Sequence, residues 1–481
     1  MKRINTLIIV LFIAVVSVSC DSLLDIDTKH ALPQEKIQSV EGCRALIVGT
    51  YDLMQSPTYL GRDLIVEPEI LADNLGLSPN ASRYTNLYQF QPNYQIDIWT
   101  SAYEIISALN EALASLEKLE QTDAVTALKG EALFLRAYNY FYLANVYART
   151  PKHLVGNFDL CVPLVLEPFY NDGGNIAEQA SVERNNVDVV WNKIITDLND
   201  AFSLLNGNDS GLAPERASAI AAKAFLSRVY LYHEDWGDAV NAATYVLTNS
   251  KVKIYKGNTY TDIFKKDSES LFELVYAESE NLASSGLHSI YGTVDDGKRD
   301  ADGFGNGIGA GDGNCAVPNA FVDLLDQTKD IRFGALRKVM RSGVKMWWST
   351  KFNSWKGTFG MDNIPLIRIS EVLLNRAEAY AHLADNTSLI NARTDIDELR
   401  KNRGLDPTDV PNSGLLDEIL LQRRIELAFE GHRFFDLKRL GKDILRSNSL
   451  PTVEYSDYRV VSPLPTTELD VNKKLKNNPG Y

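Results

Sequence analysis

The chain has 481 residues, 49 of them basic and 63 acidic, for a formal charge of −14, and 45% of it is hydrophobic. That length can bury a large core, and the acidic balance excludes nucleic acid or an anionic lipid surface as the main partner, since both demand a basic face. The 4 cysteines are too few for a disulfide scaffold, and no CxxC spacing links Cys43, Cys161 and Cys315 into a metal site.

From the N-terminus, residues 1–19 read as a secretory signal outside the fold. Lys2 and Arg3 precede an apolar run from Leu7 to Val16 that falls well short of the ~20 residues needed to span a bilayer. Ser17, Val18 and Ser19 lead to Cys20, which resembles the lipobox cysteine of bacterial lipoproteins, although Ser17 stands where Leu is usual. Cys20 is then expected to carry lipid and to become the new N-terminus; the alternative is plain cleavage and free secretion. Charges interrupt every later apolar run, so lipid and not a spanning helix is the expected membrane link.

Helical patterns follow. Residues 100–120 set Ile106, Leu109, Leu113 and Leu116 on one stripe at helical spacing. A second helix over 127–147 is apolar around so much of its circumference that it must be buried on several sides. Pro151 and Pro163 bracket a loop with a short strand, and a third helix over 188–205 stops at the turn of 206–211. Residues 218–248 match the tetratricopeptide helix hairpin: Leu226 and Tyr230 fill a groove that small Ala239 and Ala243 leave between two helices. A looser copy runs from Val372 to Leu399.

Between 250 and 365 no helical period persists, so loops with short strands are expected, and such an insertion on a helical scaffold commonly carries binding function. Helical order returns over Leu366–Leu383 and Leu415–Leu440, and an extended tail begins at Pro451. Asp295, Asp296, Asp300 and Asp302 fail the EF-hand spacing, so a solvated acidic loop is expected in preference to a calcium site. The glycines from Gly303 to Gly313 lack the strand–turn–helix context of a dinucleotide site. The six histidines show no ligand spacing, so no metal and no cofactor is expected. Glu426 and Glu430 could suggest a glycosidase pair, but Arg423 and Arg433 lie within helical reach and would hold both ionised, which favours a buried ion-pair cluster.

Six segments stand out in order: residues 20–25 (CDSLLD), 131–138 (EALFLRAY), 221–232 with AAKA and RVYLY, 368–379 (RISEVLLNRAEA), 423–437 (RRIELAFEGHRFFDL), and the pair 463–465 with 477–481 (PLP, NNPGY). Together they resemble the SusD/RagB family of outer-membrane nutrient-binding lipoproteins. Gln422 departs from the family's usual acid before the Arg-Arg pair, and residues 148–151 (ARTP) replace a glycine-containing turn.

The resemblance implies a mostly α fold with tetratricopeptide-like hairpins as scaffold and a loop-rich, short-strand insertion carrying the site. It divides the chain into a signal over 1–19, an N-terminal helical region over 20–232 and a C-terminal region over 270–481, together forming one fold. It further implies a surface-exposed, lipid-anchored outer-membrane protein without catalysis, which captures a glycan for a SusC-type TonB-dependent transporter. The family's ligand sites draw on the stretch before the first long helix, which nominates Asp73, Asn74, Arg83 and Tyr84. The aromatic insertion adds Tyr291, Trp347 and Trp348; the two adjacent tryptophans must point to opposite faces of a strand, so one is expected in the core. A surface glycoside hydrolase and a peptide-binding tetratricopeptide scaffold are the rival readings.

Overall fold

Helices form where the apolar spacing predicts them. The computed structural model describes residues 37–79, 81–168, 182–265, 269–292, 311–341, 344–447 and 450–481. Cys20, the signal segment and the acidic residues Asp295, Asp296, Asp300 and Asp302 lie outside these described residues. Helix α1 (Val40–Met54) starts where the Ser39 side chain accepts the Gly42 amide at 3.0 Å. A short α2 (Asp63–Ile70) follows, then α3 (Trp99–Leu116), α4 (Asp123–Tyr147) and α5 (Val187–Leu205). Helix α4 is capped by Thr122 and buried along nearly its whole length, as its all-round apolar pattern requires.

The hairpin of α6 (Ala219–His233) and α7 (Trp236–Asn249) turns at Glu234, whose φ of 65° sits in the left-handed region. Ala239 and Ala243 are wholly buried where the two helices meet. The second hairpin, α8 (Ile369–Leu383) and α9 (Asn386–Asn402), repeats the device, with Ala384 at φ 59° and Asp385 capping Thr387 and Ser388. Each helix packs on its sequence neighbour from α3 to α7, and α7 then packs on α8 across the intervening insertion. Trp236 stacks on His382 at 3.9 Å and joins the two hairpins. This is the tetratricopeptide-like arrangement, and it gives a mostly helical fold.

Three antiparallel two-stranded pairings involve the insertion. β1 (Gly76–Leu77) pairs with β3 (Cys315–Ala316), β2 (Ser270–Leu274) with β6 (Ile364–Arg368), and β4 (Leu336–Arg341) with β5 (Val344–Ser349). The short strand expected between Pro151 and Pro163 is reduced to a single bridge from Leu160 to Asn186. One hydrophobic cluster runs from Cys43 to Leu475 and draws on both halves of the chain. Cys43, Cys161 and Cys315 are free and buried within it.

The structure also corrects the sequence reading at the last long helix. The helix expected over Leu415–Leu440 is two helices, α10 (Leu415–Glu426) and α11 (Arg433–Arg439). Between them Phe429 and Gly431 take φ values of 68° and 84°. A Cβ at Gly431 would lie 2.7 Å from the Leu64 carbonyl oxygen, so only glycine lets the chain pass α2 so closely. The break also changes the partners of the glutamates. Glu426 accepts from Arg403 (2.9 Å twice), Arg368 (3.1 Å) and Tyr260 (3.2 Å), with Arg332 at 3.6 Å. Glu430 accepts from Arg368 (2.8 Å twice) and Lys351 (2.6 Å). Arg423 instead pairs with Asp436 and Arg433 with Asp73; the turn takes Glu430 and Arg433 out of the α10 helical register.

The C-terminal tail closes over the early helices. Asn478 donates to the carbonyls of Tyr147 (2.9 Å) and Ser462 (2.7 Å), and accepts from Arg184 (2.9 Å). Ser462 donates its amide to Val146 (3.0 Å) and its hydroxyl to Ile96 (2.7 Å).

Candidate functional site

At the start of α2 the Arg62 guanidinium grips Asp63 through two bonds of 2.7 and 2.9 Å and reaches the Ser285 carbonyl at 3.3 Å. The Tyr84 hydroxyl donates to the same carboxylate at 2.7 Å. Tyr84 is held there by a left-handed backbone, φ 65°, a strained conformation for an aromatic residue. Asn314 explains how the loop is held: its Oδ1 accepts the amides of Ser82 (2.9 Å) and Arg83 (3.2 Å) and the Ser82 hydroxyl (3.3 Å). The Ser78 amide returns a bond to the Asn314 carbonyl at 3.0 Å, next to the β1–β3 pair. Val317 then donates to the Trp347 carbonyl at 2.8 Å. Four segments far apart in sequence are thereby stitched into one loop-built patch.

The patch offers several kinds of group. Arg83 and Tyr84 are half-buried, as is Trp347, whose ring has the Phe333 ring at 5.4 Å and the Lys338 ammonium at 5.1 Å. One turn after Asp63, burial and then the Asp63 charge push the Glu67 carboxyl well above the ordinary glutamate range. Guanidinium, phenol, carboxyl and indole are the groups that can meet the hydroxyl edge and the C–H face of a sugar ring.

The other nominated residues sit differently. Asp73 is bound by Arg433 (2.7 Å) and Arg424 (3.1 Å); burial pushes its carboxyl up, but the two guanidinium groups outweigh it and hold it below the usual range. Asn74 is buried between Glu69 (2.7 Å) and Arg424 (2.9 Å). Tyr291 is fully enclosed, stacked against Phe352 with its hydroxyl on the Phe429 carbonyl. Trp348 keeps only 2% of its surface while Trp347 remains half-buried, the alternation that a strand imposes. Arg83 and Tyr84 therefore lie half-buried on the loop that Asn314 and Asp63 fasten, and Trp347 lies half-buried on β5, whereas Asp73, Asn74, Tyr291 and Trp348 are used in packing and pairing. Sequence reasoning missed Arg62, Asp63, Glu67 and Asn314, which carry no motif; Asn314 stands at the end of a glycine-rich run that gave only the expectation of a loop.

Two arrangements bear on catalysis. Glu426 and Glu430 are desolvated, but Arg403 and Arg368 beside the first, and Arg368 and Lys351 beside the second, hold both carboxyls below their ordinary range, the wrong state for a general acid. His288 contacts the Ser354 hydroxyl, yet Asp362 accepts the amides of Ser354 (2.8 Å) and Trp355 (2.7 Å) and leaves the imidazole unsupported. Both residues of that contact are buried, and Ser354 has a φ of 55°, so the group fastens a turn. Among the described residues no three His, Cys, Asp or Glu side chains converge as metal ligands.

Comparison with known proteins places the whole architecture. A family model described as starch-binding, associating with the outer membrane, matches residues 24–231, and the SusD family model matches residues 253–481. The chain belongs to the SusD/RagB family. SusD-like protein P2 of Formosa agariphila is 26% identical over the full length of both chains. A SusD superfamily structure from Bacteroides vulgatus is 24% identical with a TM-score of 0.78, covering 92% of this chain and 99% of that one. A laminarin-binding SusD-like protein is 23% identical with a TM-score of 0.69, again covering 92% of this chain and 99% of its own. These two likenesses show the fold.

The segments that resemble other SusD/RagB proteins turn out to be core ion pairs. Arg136 chelates Asp197 (2.8 and 3.0 Å), Arg228 chelates Glu371 (2.6 Å twice), and Arg423 and Arg439 share Asp436. Family motifs here specify the scaffold, while the patch is built by residues outside them. Among the described residues no helix is long and apolar enough to cross a membrane.

Proposed function

We propose that this chain is a non-catalytic glycan receptor, tethered to the outer membrane by lipid on Cys20, which captures an oligosaccharide and passes it to a SusC-type TonB-dependent transporter. Family membership along both halves of the chain is the observation that carries the reading, with a starch-binding, outer-membrane description attached to residues 24–231. The loop region of Arg62, Asp63, Arg83, Tyr84, Asn314 and Trp347 supports it chemically, since it offers aromatic rings beside polar groups held in place by hydrogen bonds.

The test is calorimetric titration with maltohexaose and laminarihexaose. An indole covering roughly 80–100 Å² of ligand contributes about 2 kcal/mol, on the order of a thirtyfold change in dissociation constant. Trp347→Ala is expected to weaken binding by that factor with the fold intact. Trp348→Ala should instead lower the melting temperature, because it empties a core position at ~3–5 kcal/mol. Affinity unchanged in both variants would move the ligand away from β5.

Anchoring has its own check. Several acyl chains, at ~0.8 kcal/mol per buried methylene, hold a protein on a bilayer. Cys20→Ala protein should therefore leave the membrane fraction and keep its fold and ligand affinity. Full retention in washed outer membranes would rule out the lipid as the tether.

A further inference from the structure

A second cleft, of about 600 Å³, opens beside the first turns of α3 and shares no lining residue with the loop patch. Its volume falls within the roughly 300–1,000 Å³ of small-molecule sites. Trp99, Thr100, Tyr103 and Glu104 form one wall, and Glu468 and Asn472 face them from the tail, around α12 (Thr466–Val471). We infer that this cleft is a second glycan-binding site, taking a neutral hexose oligosaccharide; the inference rests on the glycan-receptor reading above.

The walls are fixed in advance. Trp99 and Tyr103 have ring centres 4.8 Å apart, and Trp99 is further braced edge-on by Tyr147 at 5.2 Å. The Tyr103 hydroxyl donates to the Pro163 carbonyl at 2.8 Å, and the Asn472 amide donates to the Val182 carbonyl at 2.8 Å. Aromatic surface anchored in this way loses little freedom when a ligand arrives.

The unused polar groups define what the cleft wants. Trp99 retains 5% of its surface, and its indole N–H has no hydrogen-bond partner among the described residues. A ligand acceptor in the cleft can therefore bond to it in place of water. The carboxylates of Glu104 and Glu468 likewise have no ion-pair or hydrogen-bond partner among the described residues. Two carboxylates in one cleft repel phosphorylated, sulfated or uronic ligands, and the formal charge of −14 reinforces this. Hydroxyl groups satisfy carboxylates without charge, a ring oxygen or hydroxyl can accept from the indole, and the C–H face of a pyranose fits against phenol.

Titration of the full-length chain with laminarihexaose and maltohexaose tests this. One of the two should bind as two molecules per chain. Glu104→Ala combined with Glu468→Ala should weaken one binding event by about tenfold or more, as expected for lost hydrogen bonds to charged groups. Thr100→Trp, which fills the cleft from an exposed position, should remove that event and leave the melting temperature unchanged. Single-site binding that Trp347→Ala weakens and neither cleft variant alters would overturn the second site and leave the receptor reading standing. Binding that the cleft variants remove and Trp347→Ala spares would keep the cleft and sink the loop patch. No binding of either oligosaccharide would overturn both.

Discussion

Replacing Glu426 with alanine is expected to destabilise the protein by ~3–5 kcal/mol or more, the cost of leaving buried cations without their counter-charge. Glu426 is 0% exposed and is shared by Arg403, Arg368 and the nearby Arg332, all themselves buried. Glu269 takes up part of the charge of Arg403 and Arg368, and Asp330 that of Arg332, so the variant keeps partial compensation. Glu430→Ala should do less harm to Arg368, which still has Glu269 and Glu426, but it strips Lys351 of its only carboxylate among the described residues. Denaturant midpoints measured on both variants check the ordering. A Glu426→Ala protein as stable as the parent would mean that the cluster contributes nothing to the fold.

Acid should loosen the same region before it reaches most carboxylates. Burial pushes the imidazoles of His288 and His432 down to about 4, so both are neutral in the folded protein at neutral pH. In the unfolded chain they titrate near ~6.5. Between those values the unfolded state binds more protons, so the contribution is whole above pH ~6.5 and is lost as pH falls toward 4, up to ~3 kcal/mol for each group. Burial raises the Asp362 carboxyl to about 6, which has the opposite sign and offsets part of the loss. Below this window Glu371 takes over: burial opposes its ionisation, but Arg228 more than compensates and holds it at about 2, so its contribution falls away as pH drops from the ordinary carboxylate range. Denaturation midpoints should be level from pH 8 to 7 and fall steadily from 6.5 to 4. His432→Asn should flatten that slope; a profile level down to pH 4 in the parent would contradict the assignment.

The legible part of the sequence was whatever is periodic or local. Ile106, Leu109 and Leu116 place α3 on its core side, and the small residues Ala239 and Ala243 foretell a close helix crossing. The break at residues 427–432 was hidden because its cause lies elsewhere: the α2 backbone at Leu64 and Ile65 forces Gly431 into its conformation. The partners of Glu426 come from positions 332, 368 and 403, too distant for any spacing rule to join them. The loop patch fared alike. Arg83, Tyr84 and Trp347 were reachable as aromatic and charged residues in irregular stretches, but Asn314 matters through hydrogen bonds to residues 231 and 232 positions away.

The clasp between the tail and the early helices has a consequence for when the protein can fold. Asn478 reaches Tyr147 across 331 residues, and Arg149 reaches the carbonyls of Tyr455 and Asp457 across more than 300. Helices α3 and α4 can form as they emerge, but the carbonyls at the end of α4 gain their partners only when the final residues of the chain are present. Contacts of such sequence separation form late, since loop closure must precede any gain from them. A chain arranged this way cannot close the end of α4 before residues 455–478 have joined it, so a chain truncated before residue 450 should expose the Tyr147 carbonyl and the Arg149 guanidinium.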